Sequence, residues 1–446
     1  MRDRTNDQQP PRVQLLEPGG QIHNLKGWVE RAIWNERMLE TLVTGVRGGK
    51  WHSLYDKVYR LSNLKAAWER VAANKGGAGV DQTTIVQFNL NADERLQQLS
   101  RALRDRTYKP LPVRRAYIPK PGTKERRPLG IPAVIDRIVQ TALRNVIEPI
   151  FEREFDASSY GFRPNLGCNN ALAEVERLLA SGSVHVVDVD LRKYFDSIPH
   201  KKLMAEVARR IADGAVLNLI ESYLHQGVLE ELKLWNPSAG TPQGAVISPL
   251  LANVYLHPVD VAMRQAGYTL VRYADDMVVL CRSREEAEAA LAKLRELLEV
   301  RELQLHPEKT RLAHLMEKPG FQFLGYDFYD RFRNPRQSSE EKLLQAIKRK
   351  TKLTNGQSLI EIIRSLNATL RGWYNYFKFC SRSSFAWKRI DGRVRYRLRA
   401  ILDKRTNGGK KARRGRGFAH MKWPNAYFTE QGLFSLLSAQ KLVRQF

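Results

Sequence analysis

The sequence predicts an α+β protein in which a small antiparallel sheet is followed by an all-helical region. Three observations predict it. Two short apolar, β-prone runs flank the adjacent carboxylates Asp275 and Asp276, a pattern typical of a hairpin. A second run, rich in β-branched residues, carries Asp188 and Asp190. The residues from 341 to 420 have helical periodicity and include 22 Lys or Arg against 4 Asp or Glu.

The two acidic segments are interpreted together because carboxylates on stiff strands can hold divalent metal ions. Taken alone, an Asp-Asp pair is equally ordinary turn chemistry, since Asp favours turns. A buried strand, however, rarely carries two carboxylates, and a period of two places Asp188 and Asp190 on one face. Beside a hairpin tipped by Asp275 and Asp276, they form a carboxylate cluster on one sheet surface. This is the pattern of a polymerase palm.

The composition indicates a globular protein with a polyanionic partner. The 446 residues are 43% hydrophobic and 27% charged, and their length suggests about three domains. A net charge of +27 and a pI near 10.1 favour nucleic acid as the partner, with an anionic membrane a distant second. Neither a signal peptide nor a membrane-spanning run is evident. Cys168, Cys281 and Cys380 lie far apart, so we expect neither disulfides nor a zinc module, and a cytoplasmic location fits.

The first part of the chain is predicted to be helical after a polar, disordered start at residues 1–20. Apolar spacing predicts one helix over 25–46 and another through 54–71. The second helix is expected to end at the glycine-rich segment 74–79. We interpret that segment as a plain turn rather than a phosphate-binding loop, because no Gly-Lys-Thr ending follows it.

A basic segment at 108–132 is predicted to form two β-prone pieces joined by a turn. Six cations lie between residues 114 and 127. They form either a solvated basic face or a flap that reaches a triphosphate, and the segment alone does not decide between the two. Helices are then expected at 137–151 and 169–179.

The middle of the chain alternates strands, loops and helices. The turn-rich loop 238–249 contains Gln243, which could hydrogen-bond a nucleotide. Apolar periodicity predicts a helix over 284–300. A strand is expected at 303–306, and the polar composition of 331–340 predicts a linker between domains.

The C-terminal region supplies +18 of the net charge between residues 341 and 420. Its cations are interleaved with aromatic residues, an arrangement suited to tracking a nucleic-acid backbone and stacking on bases. Some of those aromatic side chains must belong to a core. The segment 404–416, with two adjacent glycines, is expected to be a flexible phosphate-binding loop.

Six motifs in a fixed order carry a resemblance to a known family. They lie at residues 118–132, 160–164, 190–196, 240–244, 273–276 and 308–310. With these motifs the chain resembles the bacterial group II intron-encoded reverse transcriptases of the maturase type, without the HNH endonuclease domain that some members append. The resemblance extends from about residue 56 to the C-terminus, and 323–325 and 372–377 resemble the entrance to the family's thumb.

The resemblance implies a right-hand polymerase, with fingers and a palm containing an antiparallel sheet, followed by an all-α thumb or maturase domain. The corresponding division is an N-terminal extension at 1–55, partly disordered, fingers at 56–157, a palm at 158–330 and a thumb at 331–446. The N-terminal extension has no equivalent that we can place in the family.

The resemblance also implies roles for particular residues. Asp190 and Asp275 would bind two Mg²⁺ ions with support from Asp276, and Lys309 is a candidate proton donor to pyrophosphate. The incoming nucleotide would be held by Lys120, Arg127, Phe195, Gln243 and Tyr273, with Phe195 acting as the gate against a 2′-hydroxyl. Candidate nucleic-acid contacts are Arg163, Trp373, Arg393, Arg395, Arg397, Arg399, Lys410, Lys411, Arg413 and Arg414.

The function expected from the resemblance is RNA-directed DNA synthesis together with binding of the host intron RNA to assist splicing and mobility. Its partners would be an RNA template, a DNA primer or target and dNTPs, with no membrane. One alternative is an intron-free bacterial reverse transcriptase that serves phage defence or CRISPR spacer acquisition. Another is an RNA-binding splicing factor on an inactive polymerase fold, against which the intact carboxylates argue.

Overall fold

A computed structural model of the chain describes residues 27–119, 126–230, 233–235, 239–241, 244–330, 332–354, 356–381, 384–406 and 416–443. The start at 1–20, predicted to be disordered, lies outside these residues, as does most of the basic loop 404–416. The described chain contains small, mainly antiparallel sheets and many helices, as the α+β prediction requires. None of the described helices is long and apolar enough to cross a membrane.

Short helices form the first described part of the chain. They are α1 (Glu36–Thr44), α2 (Tyr55–Val58), α3 (Leu61–Ala73), α4 (Ile85–Leu90) and α5 (Ala92–Arg104). The helix predicted over 25–46 is wrong in extent, because Asn35 caps α1 by accepting the Met38 N–H at 2.9 Å. The helix predicted through 54–71 is split at Arg60, whose ψ of 128° is not helical.

The glycine-rich segment after α3 is a turn held by arginines. The carbonyl of Ala78 accepts a hydrogen bond from Arg114 Nη2 at 2.7 Å, and that of Gly77 accepts one from Arg137 Nη2 at 2.5 Å. At Gly76, an added Cβ would lie 2.3 Å from the Arg137 side chain. The carbonyls of this segment accept hydrogen bonds from the protein's own arginines. These contacts support the interpretation of the segment as a plain turn.

The basic segment forms the predicted pair of strands, β1 (Val113–Pro119) and β2 (Arg126–Ile131), which are antiparallel. The long helix α6 (Val134–Glu152) follows and is buried along most of its length. Gln140 on α6 accepts the N–H of Val246 at 2.7 Å. Helix α6 therefore positions part of the turn-rich loop 238–249.

The elements that follow α6 build the palm sheet and its flanking helices. They are α7 (Cys168–Ala180), β3 (His185–Val189), α8 (Tyr194–Ser197), α9 (His200–Ala208), α10 (Gly214–Leu224), β4 (Val228–Glu230), β5 (Lys233–Trp235), α11 (Ser248–Gln265), β6 (Thr269–Tyr273), β7 (Asp276–Cys281), α12 (Arg284–Val300) and β8 (Arg311–His314). Strands β4 and β5 extend the first sheet, in the order β2-β1-β4-β5. The palm sheet has the order β6-β7-β3-β8, with every pair antiparallel.

The hairpin, the β3 strand and the helix at 284–300 are confirmed, but the strand predicted at 303–306 is wrong. Leu305 forms only an isolated bridge to Leu191, and the strand that pairs with β3 is β8. Strand β8 itself was not predicted because it begins at a charged residue, Arg311, which lies opposite Asp188. A charged pair across an edge strand hides the apolar alternation on which strand prediction depends.

The palm sheet is buried on both faces, so alternate residues of its strands enter two different hydrophobic cores. Met277 and Val279 of β7 face a core built with α6, α11 and α12. Val278 and Leu280 of the same strand face a second core, which includes α7 and the helices after residue 336. The helical region after residue 336 is thus packed directly on the sheet that carries the carboxylates.

A three-stranded sheet and a set of helices complete the second core. They are β9 (Phe321–Phe323), β10 (Tyr326–Tyr329), β11 (Phe332–Pro335), α13 (Gln337–Lys350), α14 (Leu359–Phe377), α15 (Ser384–Thr406), α16 (Arg416–Lys422), α17 (Asn425–Glu430) and α18 (Leu436–Val443). The linker predicted at 331–340 is wrong, since it contains β11 and the start of α13. The polar composition suggested an exposed linker, but Arg333 is buried and forms an ion pair with Glu176 at 2.7 Å.

Candidate active site

A cleft of about 500 Å³ lies at one end of the palm sheet, and most of its lining residues are charged. The charged lining residues are Asp188, Asp190, Asp275, Asp276, Glu308, Lys309, Arg311 and Arg336. Strands β3 and β7 are paired neighbours, which brings the carboxylates of the two acidic segments into this one cleft. The prediction that Asp188 and Asp190 face the same way is confirmed.

Asp190 lies one residue beyond the end of β3 and is fixed through its main chain. Its carbonyl accepts the N–H of His306 at 2.7 Å and the hydroxyl of Thr310 at 3.2 Å. Its carboxylate forms an ion pair with Lys309 at 3.2 Å, in which the two side chains are 40% and 53% exposed. An exposed pair of this kind contributes little free energy, so the carboxylate is available to another ligand.

The hairpin β6–β7 presents the other two carboxylates. Tyr273 pairs with Asp276, which leaves Ala274 and Asp275 as the two-residue turn. Ala274 has a φ of 59°, an unfavourable left-handed conformation for a residue with a Cβ. The sequence placed both aspartates at the tip, whereas Asp276 is the first residue of β7. Burial raises the pKa of Asp276 to about 7, opposed by the hydrogen bond from Leu324 N–H at 3.4 Å.

A buried ion pair beneath this turn holds it in place. Arg272 on β6 and Asp260 on α11 are both fully buried and bond through two contacts of 2.7 and 2.5 Å. The same guanidinium donates to Asn253 Oδ1 at 2.9 Å and to the carbonyl of Ala274 at 3.0 Å. Sequence reasoning missed Arg272, although an arginine inside an apolar strand was the signal that could have found it.

The motif at 160–164 supports the same turn from the other side. At Gly161, an added Cβ would lie 2.3 Å from the backbone nitrogen of Ala274, so only glycine allows this approach. Arg163, predicted to contact nucleic acid, does not line the cleft. Its guanidinium bonds Glu152 at 2.8 Å and the carbonyl of Ser159 at 2.6 Å, and the side chain is 9% exposed. These contacts favour a structural role for Arg163.

The structure describes some of the residues predicted to contact the nucleotide and leaves out others. Phe195 lies on α8, half-buried, and its carbonyl accepts the N–H of Thr241 at 2.7 Å. At Gly240, an added Cβ would lie 2.8 Å from the same carbonyl, so the glycine-rich loop packs against the predicted gate. Tyr273 ends β6, and burial raises its pKa to about 12. Lys120 and Gln243 lie outside the described residues.

Arg127 belongs to β2, where its backbone is opposite Ile118. The glycine-rich loop meets this hairpin directly, because an added Cβ at Gly244 would lie 2.4 Å from the carbonyl of Gly130. The basic hairpin and the described part of this loop therefore pack against each other.

The predicted nucleic-acid contacts of α15 fall into two groups. Arg393 is exposed and Arg395 half-buried. By contrast, Arg397 bonds the hydroxyl and carbonyl of Thr351, and the buried Arg399 donates to the carbonyl of Trp423 at 2.9 Å. These arginines recur at every second residue. In a helix this spacing puts them on several faces, so some of them lie in the core.

The remaining predicted contacts differ in position. Trp373 is half-buried against Phe377 and Trp387, with ring centroids 4.8 and 5.7 Å away. It contributes mainly to the second core. The four basic residues of the predicted loop lie outside the described residues: Lys410, Lys411, Arg413 and Arg414.

Helix α14 reaches the cleft through a contact that the sequence did not predict. Leu324, in the turn between β9 and β10, donates its N–H to Asp276, and its carbonyl accepts the hydroxyl of Tyr376 at 2.7 Å. Tyr376 belongs to α14. This helix is therefore separated from a carboxylate of the cleft by a single residue.

The oxygen donors of the cleft fit a hard divalent cation. Mg²⁺ is commonly held by one or two carboxylates together with phosphate oxygens of the substrate. Within the described residues no group of three or more His, Cys, Asp and Glu is placed to hold a metal ion. The cleft therefore offers carboxylates that could share a cation only with oxygen ligands from outside the protein.

Family models match two consecutive parts of the chain. Residues 118–328 match the reverse transcriptase (RNA-dependent DNA polymerase) family, and residues 341–418 match the group II intron, maturase-specific domain. The first match begins near the end of β1 and covers β2 and the whole palm sheet. The second covers most of α13 and all of α14 and α15.

Individual proteins are similar over the same region. The group II intron-encoded protein LtrA of Lactococcus lactis subsp. cremoris is 34% identical over 267 residues, which is 59% of this chain and 41% of LtrA. Protein YkfC of Escherichia coli is 34% identical over 299 residues, 58% of this chain and 78% of YkfC. The chain thus spans about two fifths of the length of LtrA.

Among solved structures, telomerase from Candida albicans in complex with a fragment of telomeric RNA is similar, with a TM-score of 0.40 at 12% identity. The match covers 71% of this chain and 64% of that one. A partial Cas6-RT-Cas1–Cas2 complex gives a TM-score of 0.37 at 22% identity and covers 56% of this chain and 43% of that one.

We predict that replacing Arg272 with Gln destabilises the fold by about 3–5 kcal/mol, because Asp260 would be left buried without its partner. Urea unfolding followed by circular dichroism measures the change. Arg284→Gln is the control, since Arg284 is 73% exposed and pairs with an exposed glutamate. Its loss should leave the stability nearly unchanged, because exposed ion pairs contribute little. Equal stability of the two variants would show that the Arg272 ion pair does not stabilise the fold.

Proposed function

Because this chain belongs to the reverse transcriptases of the group II intron type, we propose that it is an RNA-directed DNA polymerase that copies an RNA template into DNA. The observation that carries the proposal is the cleft in which Asp190 and Asp275 lie together at the end of the palm sheet. The family depends on divalent metal ions in general, and we propose two Mg²⁺ ions as the cofactor.

In the proposed reaction the 3′-hydroxyl of a primer attacks the α-phosphate of a dNTP and pyrophosphate leaves. The metal ions would lower the pKa of that hydroxyl and neutralise the charge that develops on the leaving group. Asp190 and Asp275 would supply the negative charge that holds the cations, with Asp276 supporting them. Lys309, beside Asp190, is the candidate donor of a proton to pyrophosphate. Lys120, Arg127 and Gln243 would hold the nucleotide.

We further propose that the C-terminal helical region binds intron RNA and assists splicing and mobility. The match of residues 341–418 to the maturase-specific domain supports this, and it disfavours an intron-free reverse transcriptase of phage defence or CRISPR spacer acquisition. The net charge of +27 supports nucleic-acid partners. A cytoplasmic location accords with this proposal. An inactive polymerase fold is disfavoured because Asp190 and Asp275 are both present.

We predict that Asp190→Asn and Asp275→Asn each abolish DNA synthesis, because an amide lacks the charge that anchors Mg²⁺. The measurement is extension of a DNA primer on an RNA template with dNTPs and Mg²⁺. Asp93→Asn is the control, since this aspartate is exposed on α5 and pairs with Lys65. RNA binding should survive in all three variants. Primer extension at near wild-type rate by either cleft variant would refute the site assignment.

Phe195→Ala should admit ribonucleotides and leave deoxynucleotide use largely intact. A phenyl ring has no acceptor for a 2′-hydroxyl and fills its space, and a buried hydroxyl without a partner costs about 1–3 kcal/mol. The measurement is kcat/KM for dNTP divided by kcat/KM for NTP, which should fall by at least about tenfold in the variant. Tyr194→Phe, on the same helix, should keep the wild-type ratio. An unchanged ratio in Phe195→Ala would mean that this ring only packs.

RNA affinity of the C-terminal region should fall steeply with salt, with a slope of roughly −0.7 per phosphate contact on single strands. Replacing Arg393 and Arg395 with Gln should flatten that slope by about 0.7 for each arginine that contacts a phosphate. The measurement is fluorescence anisotropy with a single-stranded RNA of mixed sequence.

The matched control for this double variant replaces two exposed arginines of α12, Arg284 and Arg295, and so removes the same charge elsewhere. Its slope should equal that of the wild type. If both double variants flatten the slope equally, net charge explains the effect and α15 makes no particular contact.

A further inference from the structure

His200 is the first residue of α9 and comes between the motif at 190–196 and the glycine-rich motif at 240–244. It was not among the candidate residues from the sequence. Only 6% of its surface is exposed, although an imidazole is a polar group. Buried polar side chains are kept in place by particular partners, so the contacts of this ring indicate what it does.

The ring of His200 holds the start of the glycine-rich motif. Its Nε2 lies 2.7 Å from the carbonyl oxygen of Gly240. Because a carbonyl oxygen can only accept, Nε2 is the donor and carries the proton. In the neutral ring Nδ1 is then unprotonated, and this buried atom has no hydrogen-bond partner among the described residues. The bond to Gly240 is therefore the contact that the imidazole serves.

The surroundings of His200 keep its ring neutral. Burial lowers the pKa of His200, and the hydrogen bond to Gly240 opposes that effect only in part. The ring of His225, directly after α10, lies 4.9 Å away between centroids, and its charge would lower the pKa further. A neutral ring needs no counterion, so it can donate to a backbone carbonyl inside the protein without leaving a charge unpaired.

The glycine-rich loop is bonded at two further points to the segment that contains the predicted gate. The N–H of Gly240 donates to the carbonyl of Ile198 at 2.8 Å. The N–H of Thr241 donates to the carbonyl of Phe195 at 2.7 Å. Gly240 has a φ of 91°, and an added Cβ would lie 2.8 Å from that same carbonyl. Together with the bond from His200, these contacts join the two segments at three points.

The joined segments both carry residues that are proposed to contact the incoming nucleotide. Phe195 is the proposed gate against a 2′-hydroxyl, and the motif at 240–244 includes Gln243. A nucleotide that contacts both residues requires them to keep a fixed separation, because a binding site misplaced by about 1 Å loses much of its effect. Any side chain that ties Gly240 to the gate segment therefore bears on nucleotide binding.

We propose that His200 is a positioning residue, which fixes the glycine-rich loop against the gate segment and so sets the affinity for the incoming dNTP. This inference rests on the proposed polymerase function. His200 acts through the backbone of Gly240 and not by touching the nucleotide. The proposed nucleotide site thereby gains a supporting residue that lies outside the six motifs.

The test replaces His200 with two amides that differ by one methylene group. The amide nitrogen of Gln extends about as far along the side chain as Nε2, whereas that of Asn ends near the position of Nδ1. His200→Gln can therefore restore the donor, and His200→Asn cannot. The matched control is Tyr255→Phe. It removes a hydrogen bond from a buried side chain to a backbone carbonyl, that of Arg301, which involves neither the loop nor the gate segment.

Extension of a DNA primer on an RNA template gives KM for dNTP and, in a separate titration, KM for the primer–template. His200→Asn should raise KM for dNTP about tenfold, as expected when a buried carbonyl loses its hydrogen bond. KM for the primer–template should be unchanged in this variant. His200→Gln and Tyr255→Phe should both keep the wild-type KM for dNTP.

The proposal is overturned if His200→Asn keeps the wild-type KM for dNTP, or if KM for the primer–template rises by the same factor. Equal impairment of His200→Gln and His200→Asn would also contradict it, since a donor at the position of Nε2 should restore the loop. An equal rise of KM for dNTP in Tyr255→Phe would show that general destabilisation causes the effect.

Circular dichroism checks the fold of each variant, and His200→Met takes the place of His200→Asn if that variant does not fold. Methionine fills much of the space of the ring but has no donor, so KM for dNTP should again rise. An unchanged KM in His200→Met refutes the proposal. A wild type that extends no primer refutes the polymerase function instead.

Discussion

The buried guanidinium of Arg272 is the interaction on which the carboxylate cleft depends. It joins β6 to Asp260 on α11 and donates to the carbonyl of Ala274, in the turn that presents Asp275. Because removing one member of a buried pair leaves an uncompensated charge, strand, helix and turn must be in place together. This explains how Ala274 is held in a left-handed conformation that the residue itself disfavours.

The two-sided burial of the palm sheet explains where the carboxylates lie. Residues in the middle of β3 and β7 enter one core or the other, as Val187 and Val186 do on opposite faces. In β3 and β7 the carboxylates Asp188 and Asp276 lie toward the strand ends, with Asp190 and Asp275 just beyond them. The same burial means that the helices after residue 336 help to support the sheet. The contact from Tyr376 through Leu324 to Asp276 follows from that packing.

Much of the fold could be predicted because local patterns encode it. The density of β-branched residues indicated β3, two apolar, β-prone runs indicated the hairpin, and helical periodicity indicated α12. The order of the motifs indicated which segments meet. What failed depended on distant partners. Arg397 and Arg399 resembled surface cations in the sequence. In the fold, Arg397 donates to the carbonyl of Thr351 and Arg399 to that of Trp423. In the same way, the buried Arg333 made the segment of β11 look like a polar linker. Arg336 was not predicted either, because no local pattern marks a side chain that lines a cleft.

The strand order of the palm sheet has a consequence for synthesis on the ribosome. Strand β3 lies between β7 and β8, both of which follow it in the chain, so it has no partner in the sheet when it first emerges. Contacts of such long sequence separation form late and slowly. The helices before α6 can pack on it early, while β3 has no strand partner until residue 281 has left the exit tunnel and lacks its second partner until residue 314 has left. A pause in translation before that point would leave an apolar strand open to aggregation, a hazard typical of incomplete sheets.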